Sequence, residues 1–208
     1  MQMINKYKQY GFFNFFKRIL LSLLSRMGIS INKWLFCTQK INETKLIEIK
    51  IDEVFQVIEM NLDDFKKTYL FDSTKLSSFQ QRFESSYFKA YGVYKNDNLA
   101  YYCWVSLQEF RFSKNLYSMK LNVSQGLLFD AFCFPKYRGN KLHNYMNIFR
   151  LKKLFEYGKS EAVVVLLNHN EPARRSQKRA GFICNKSITT YTLFGRNKIV
   201  IKNKKINL

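Results

Sequence analysis

The chain has 208 residues, enough for one domain with an appendage, and its 47% hydrophobic and 17% aromatic content supports a buried core rather than disorder. Two prolines and eight glycines exclude a collagen-like or low-complexity chain. The 35 Lys and Arg against 15 Asp and Glu give a formal net charge of +20, which points to an acidic partner (a phosphate-rich ligand, an anionic membrane or nucleic acid) without choosing among them.

The first stretch is basic and free of acids. Residues 1–41 hold Lys6, Lys8, Lys17, Arg18, Arg26, Lys33 and Lys40, and no Asp or Glu. Phe12, Phe13, Phe16, Ile19, Leu20, Leu23, Leu24 and Met27 recur at helical spacing and predict one apolar face, with Gly28 as the stop. The longest unbroken apolar run there, Ile19–Leu21, falls far short of the roughly 20 residues a spanning helix needs. No small-residue cleavage site follows, so the stretch does not read as a cleaved signal peptide. Residues 1–42 read as a basic amphipathic segment. Either residues 1–40 lie on an anionic membrane surface, or the helix packs on the domain or on a partner chain.

Beyond it, Thr44–Lys50 alternates apolar and polar residues and predicts a strand. Asp52–Met60 predicts a helix with acids in its first turn. Leu62–Ser86 reads as helical with a break near Asp72–Ser73. Tyr87–Tyr94 and Leu99–Phe110 predict a hairpin about the polar turn 95–98, and the dense Gly126–Phe134 predicts a central strand. A turn, Pro135–Gly139, opens a helix reaching about Gly158, with Leu142, Tyr145, Met146, Phe149 and Phe155 on its apolar face. Ala162–Leu167 predicts a buried strand. Asn170 caps a basic helix ending at Ala180, with Pro172 in its first turn. Strands from Gly181 to Phe194 and over Ile199–Ile206 complete the order β-α-α-β-β-β-α-β-α-β-β.

Cys37, Cys103, Cys133 and Cys184 form no CxxC pair, which argues against a four-cysteine zinc site or a thioredoxin motif. Each lies in an apolar run and reads as a buried thiol in a reducing compartment, with a disulfide pair as the alternative. His143 and His169 have no carboxylate at metal spacing, so no metal is expected.

The strand–turn–helix unit at 126–158 carries the chemistry. A helix N-terminus presents unpaired N–H groups and the positive end of the helix dipole, an arrangement suited to phosphate. Lys136, Arg138 and Lys141 flank it, and residues 136–186 hold twelve Lys/Arg against three Asp/Glu. A diphosphate on backbone amides, with a further phosphate on basic side chains, fits this region.

Here the sequence resembles the GNAT N-acetyltransferases. The resemblance rests on Pro135-Lys136-Tyr137-Arg138-Gly139 with the strand before it, and on Asn170-Glu171-Pro172-Ala173 followed by Ala180-Gly181-Phe182. It covers about residues 44–195. It implies an α/β (α+β) fold with a mixed, mostly antiparallel central sheet, two splayed parallel strands and flanking helices, here following the basic N-terminal segment. Residues 43–208 would then be an acyltransferase-like domain.

The implied cofactor is acetyl-CoA or another acyl-CoA, held by Phe132, Cys133, Phe134, Arg138, Gly139, Asn140, Lys141, Leu142, His143, Asn170 and Arg174. A backbone N–H near Cys133 or Phe134 would polarise the thioester carbonyl. Asp130, the only charge in its strand, is the candidate base, since burial raises a carboxyl's proton affinity. Tyr191 is preferred over Tyr102 and Tyr137 as the acid, and His169 is a candidate lining residue. The pattern departs from the family at three places. Lys141 and His143 stand where its phosphate loop has small residues, and Gln177 stands where many members have a tyrosine.

The activity implied is acyl transfer to a small or lipid-linked amine, such as an amino sugar of a surface-polysaccharide precursor. The location implied is cytoplasmic, peripheral at the inner face of the plasma membrane. The alternatives are aminoacyl transfer from charged tRNA, which the charge permits although no RNA motif is recognised, and a catalytically degenerate membrane-associated binding module.

Overall fold

The structure is a computed structural model that describes residues 23–24, 27–42, 50–111, 118–194 and 196–206. Most of the N-terminal helix and nearly all of the strand expected at 44–50 lie outside these residues. The chain forms two compact units, Cys37–Val165, and Met1–Phe36 together with Leu166–Leu208. Two strands, β1 (Ile29–Lys40) and β8 (Glu161–Leu167), run through both.

In the unit Cys37–Val165, strands are ordered β8, β7 (Gln125–Cys133), β4 (Asn98–Ser106), β3 (Phe88–Lys95) and β2 (Phe55–Met60). Neighbours are antiparallel except β7 and β8, which the helix α3 (Leu142–Glu156) connects in parallel. Asn96 and Asp97 close the β3–β4 hairpin at φ 46° and 61°, a left-handed turn that Asn and Asp tolerate. A separate ribbon pairs β5 (Glu109–Arg111) with β6 (Ser118–Lys120).

Helices α1 (Leu62–Lys67) and α2 (Ser73–Phe83) show why the sequence breaks at Asp72. Asn61 and Asp64 form a reciprocal capping box on α1, and the Asp72 carboxylate accepts from the Lys75 amide to start α2. These helices cover one face of the sheet. Phe65 and Phe79 pack there with Met60, Phe88, Ala90, Leu99, Tyr102 and Trp104, and the Phe65 ring stacks on Trp104 at 5.7 Å. On β4, Tyr101 and Cys103 alternate with these residues and turn to the α3 side, as a strand's period of two requires.

The unit Met1–Phe36 with Leu166–Leu208 places β10 (Arg196–Ile206), β9 (Ile183–Leu193) and β1 side by side in that order. β9 and β10 form an antiparallel hairpin from Leu193↔Arg196 to Cys184↔Ile206. Helix α4 (Glu171–Arg179) precedes β9 and is capped by Asn170, whose side chain accepts from the Ala173 amide.

Several expectations are corrected. Residues 55–60 form β2 and not a helix: pairing from Phe55↔Lys95 to Met60↔Ala90 overrides a spacing that also suits a helix. β1 was not anticipated, although Ile29, Ile31, Lys33, Leu35 and Cys37 alternate with their neighbours and Leu35 and Cys37 are fully buried. Leu142, Met146, Arg150 and Leu154 form the buried stripe of α3, and Phe155 is exposed. Treating Arg150 as a surface residue rotates that stripe. Cys37 and Cys184 are disulfide-bonded, while Cys103 and Cys133 are free. An apolar context does not separate a buried thiol from a disulfide sulfur.

Candidate active site

β7 is flanked unequally. Its parallel register with β8 ends at Leu128↔Val164, while its antiparallel register with β4 continues to Tyr101↔Cys133. From Phe129 to Cys133 one edge of β7 is therefore open among the described residues. The Phe134 amide donates to the Ala100 carbonyl at 3.0 Å. Successive amides of an extended chain point to opposite edges, so the Cys133 amide turns to the open side. Of the two carbonyl-polarising groups expected from sequence, Phe134 is engaged by β4 and Cys133 is the one that faces the opening.

Within this segment the register against β4 slips. Tyr102 faces Phe132 and Trp104 faces Phe129, so β7 carries one extra residue and bulges at Asp130–Ala131. Asp130 takes φ 42° there. Its carboxylate is not the solitary charge the strand sequence suggests. It accepts from Lys75 Nζ at 3.0 and 3.2 Å and from Arg82 Nη1 at 2.6 Å. The Arg82 guanidinium lies over Trp104 at 4.8 Å and Phe129 at 5.0 Å, which fixes its fork. Burial, and then the Asp130 charge, push the Tyr102 hydroxyl above its ordinary range.

After β7, Pro135–Tyr137 make a 3-10 turn and the chain enters α3 through Arg138–Lys141. Gly139 has φ 92°, and nothing lies within 4 Å of where its Cβ would sit. Lys141 has φ 57°, a left-handed position that costs a non-glycine residue about 1 kcal/mol. Backbone conformation is thus one reason for glycine at this place in the family's loop, and the lysine keeps the shape with its side chain exposed. No described hydrogen bond uses the amides of Gly139 to Asn144. Arg138 Nε donates to the Cys133 carbonyl at 3.3 Å and Asn140 Nδ2 to the Tyr137 carbonyl at 3.0 Å, which ties the loop to the end of β7. Leu142 is buried and anchors the helix start.

The His143 ring does not crowd this loop. It turns inward, with Nδ1 3.0 Å from the hydroxyl of buried Tyr101. Burial and then the Arg150 charge lower its pKa to about 4, so it is neutral at pH 7. Arg150, 2% exposed, donates to the Met146 carbonyl and to Asn147 Oδ1, and its Nη1 has no hydrogen-bond partner among the described residues. Burial pushes the Cys103 thiol up to about 11 against the pull of Arg150, and burial raises the partly exposed Cys133 thiol. Neither is an activated nucleophile.

The remaining sequence candidates belong to the other unit. Asn170 is occupied as the α4 cap, and Arg174 Nη1 donates to the Asn168 carbonyl at 3.3 Å. Gln177 is buried, His169 is exposed, and Tyr191 lies opposite Lys198 on β9. Sequence reasoning missed Lys75 and Arg82, which lie seven residues apart on one face of α2, and Arg150. For Arg150 the signal is a basic residue at i+4 from Met146 and i+8 from Leu142 on an apolar stripe. Among the described residues no group of three or more His, Cys, Asp or Glu could hold a metal ion.

No family model and no curated protein matches the sequence. Solved structures do match the fold. A tandem GNAT protein from the clavulanic acid biosynthesis pathway matches with TM-score 0.58 at 11% identity, over 86% of this chain and 57% of that one. A GNAT-family protein from Novosphingobium aromaticivorans matches with TM-score 0.53 at 14% identity, over 79% and 65%. A conserved protein of unknown function from Staphylococcus epidermidis matches with TM-score 0.55 at 11% identity, over 90% and 68%. The chain thus spans little more than half of the tandem protein. The fold is GNAT-like, a mixed α/β arrangement with a large, mostly antiparallel sheet flanked by helices.

Proposed function

We propose that the chain is an acyl-CoA-dependent N-acyltransferase, with acetyl-CoA as the first cofactor to test. The observation that supports it is the open edge of β7 beyond Leu128, followed directly by a loop whose amides from Gly139 to Asn144 make no described hydrogen bond. An acyl-CoA suits these groups: amides and the exposed Lys136, Arg138 and Lys141 for its phosphates, and an open strand edge for its extended arm. When bound, it supplies an acyl group activated as a thioester.

The chain's own residues then divide the work. The Cys133 amide faces the edge where an acyl carbonyl would be polarised. Asp130, held by Lys75 and Arg82, is the proposed acceptor of a proton from the incoming amine, directly or through water. Tyr191 is the proposed donor to the departing thiolate. The acceptor is a small or lipid-linked amine, with phosphate-bearing amino sugars of surface-polysaccharide precursors suited to the net charge of +20. Residues 1–40 would hold the enzyme at an anionic membrane.

Calorimetric titration with acetyl-CoA, with dephospho-CoA as control, tests the reading. Micromolar binding that weakens without the 3′-phosphate is expected. Absence of acetyl-CoA binding refutes it. No acyl transfer to a panel of nucleotide-linked amino sugars removes the acceptor class alone.

A further inference from the structure

Apart from Tyr191, the β9–β10 hairpin end carries exposed side chains that neither its packing nor the proposed reaction explains. Its register sets Tyr191 opposite Lys198 and Leu193 opposite Arg196, so these four side chains share a face. With Asn197 and Val200 they line a depression of about 460 Å³. At the hairpin end, Phe194 is 71% exposed and Leu193 54% exposed. The Phe194 amide donates to the Gly28 carbonyl at 2.9 Å, which pins Met27 and Gly28 beside the tip. Met27 is 62% exposed, and Ile31 on the adjoining β1 is 60% exposed. The result is an apolar end built from two chain segments.

The charge around it has one sign. β10 carries Arg196, Lys198, Lys202, Lys204 and Lys205 and no acid. Glu171 is the only acidic residue in 166–206, and it is paired with Arg175 at 3.2 Å. Lysines on an edge strand protect it from pairing with another sheet, which accounts for the charge. That protection does not account for Phe194, Leu193, Met27 and Ile31 standing in water beside it. A nucleic-acid surface would present rings for stacking, whereas this end is largely aliphatic.

We infer that the β9–β10 hairpin end, with Met27 and Ile31, docks on an anionic phospholipid bilayer. Phe194, Leu193 and Met27 enter the boundary between headgroups and acyl chains, while Arg196, Lys198 and the later lysines of β10 face lipid phosphates. The inference stands on these residues and requires neither residues 1–26 nor the acyl-transfer reading.

The full chain is floated with phosphatidylcholine vesicles and with vesicles containing phosphatidylglycerol. It is expected to float with the second and not with the first. Leu193→Ser with Phe194→Ser removes the apolar end, and Arg196→Gln with Lys198→Gln removes two charges, each worth about fivefold in binding. Each pair is expected to weaken flotation at least about tenfold while melting temperature and acetyl-CoA binding stay as in the wild type. The charge pair serves if the apolar pair fails to fold. Flotation that neither pair weakens overturns the inference, as does equal flotation with neutral vesicles or none at all. A dimer in light scattering that Phe194→Ser dissolves would assign the surface to a second copy. Poly-uridine binding that replaces vesicle binding would assign it to RNA. Loss of acetyl-CoA binding in the wild type would count against the catalytic reading alone.

Discussion

Gly126 sits in β7 directly beneath α3, and its replacement by alanine is a sharp test of how the loop is held. A Cβ there would meet Leu154 Cδ2 at 2.3 Å, Cδ1 at 3.0 Å and Cγ at 3.1 Å. Three atoms of one side chain are involved, so a turn of its tip does not relieve the contact. Leu154 is fully buried. Either it leaves its rotamer or α3 lifts away from β7, and overpacking of this kind costs about 1–3 kcal/mol. For a chain of this size a loss of about 2 kcal/mol lowers the melting temperature by roughly 4–8 °C.

Gly92→Ala is the matched control, because the new Cβ would meet Met60 Sδ at 2.6 Å and Cγ at 3.1 Å, with only Tyr94 Cε2, also at 3.1 Å, beside them. A thioether chain adapts more readily, so the loss is expected to be half as large or less. Leu154→Ala combined with Gly126→Ala is expected to destabilise less than the sum of the two. Calorimetric unfolding of the four variants decides the matter. A Gly126→Ala protein that melts with the wild type, or strict additivity in the pair, refutes the reasoning.

Three further outcomes follow from the site. His143 is neutral in the fold down to about pH 4, whereas an unfolded histidine takes its proton near pH 6.5. As pH falls from 6.5 toward 4 the unfolded chain binds the proton first, so stability is lost across that window. The melting temperature of His143→Gln is expected to fall less steeply there. Arg150→Met removes the second cause of the low pKa, and proton NMR titration is expected to show the His143 pKa rising toward its ordinary value. An unchanged titration would mean that burial alone sets it. Asp130→Asn takes the negative partner from Lys75 and Arg82, with an expected loss of about 1–2 kcal/mol for this partly exposed cluster. Transfer is expected to fall about 100-fold or more, with acetyl-CoA binding retained, and full activity would end Asp130's part as a base.

What the sequence revealed follows the range of the interactions. Asp72, Asn170 and the Asn96-Asp97 turn act within a few residues, so caps and hairpin were readable. The strand–turn–helix unit from Gly126 to Glu156 was readable for the same reason. β2 was misread because Val54 and Ile58, four residues apart, suit either period, and only pairing with β3 decides. The setting of Asp130 was hidden because its partners lie 55 and 48 residues away. His143 was read as a loop residue because no local pattern reveals an inward ring bonded to Tyr101, 42 residues earlier.

The extra residue at Asp130–Ala131 acts as a parity switch for the end of β7. Upstream, Phe129 lies on the face of Trp104, and downstream Phe132 and Phe134 join the same aromatic face, an odd interval from Phe129 to Phe132 that an unbroken strand forbids. Length in this segment therefore matters more than identity. A conservative change at Ala131 leaves the phase intact. Its deletion leaves an interval of two between Phe129 and Phe132, which a regular strand accepts, so Phe132 and Phe134 stay among the rings while the bulge that sets Asp130 toward Lys75 and Arg82 is lost.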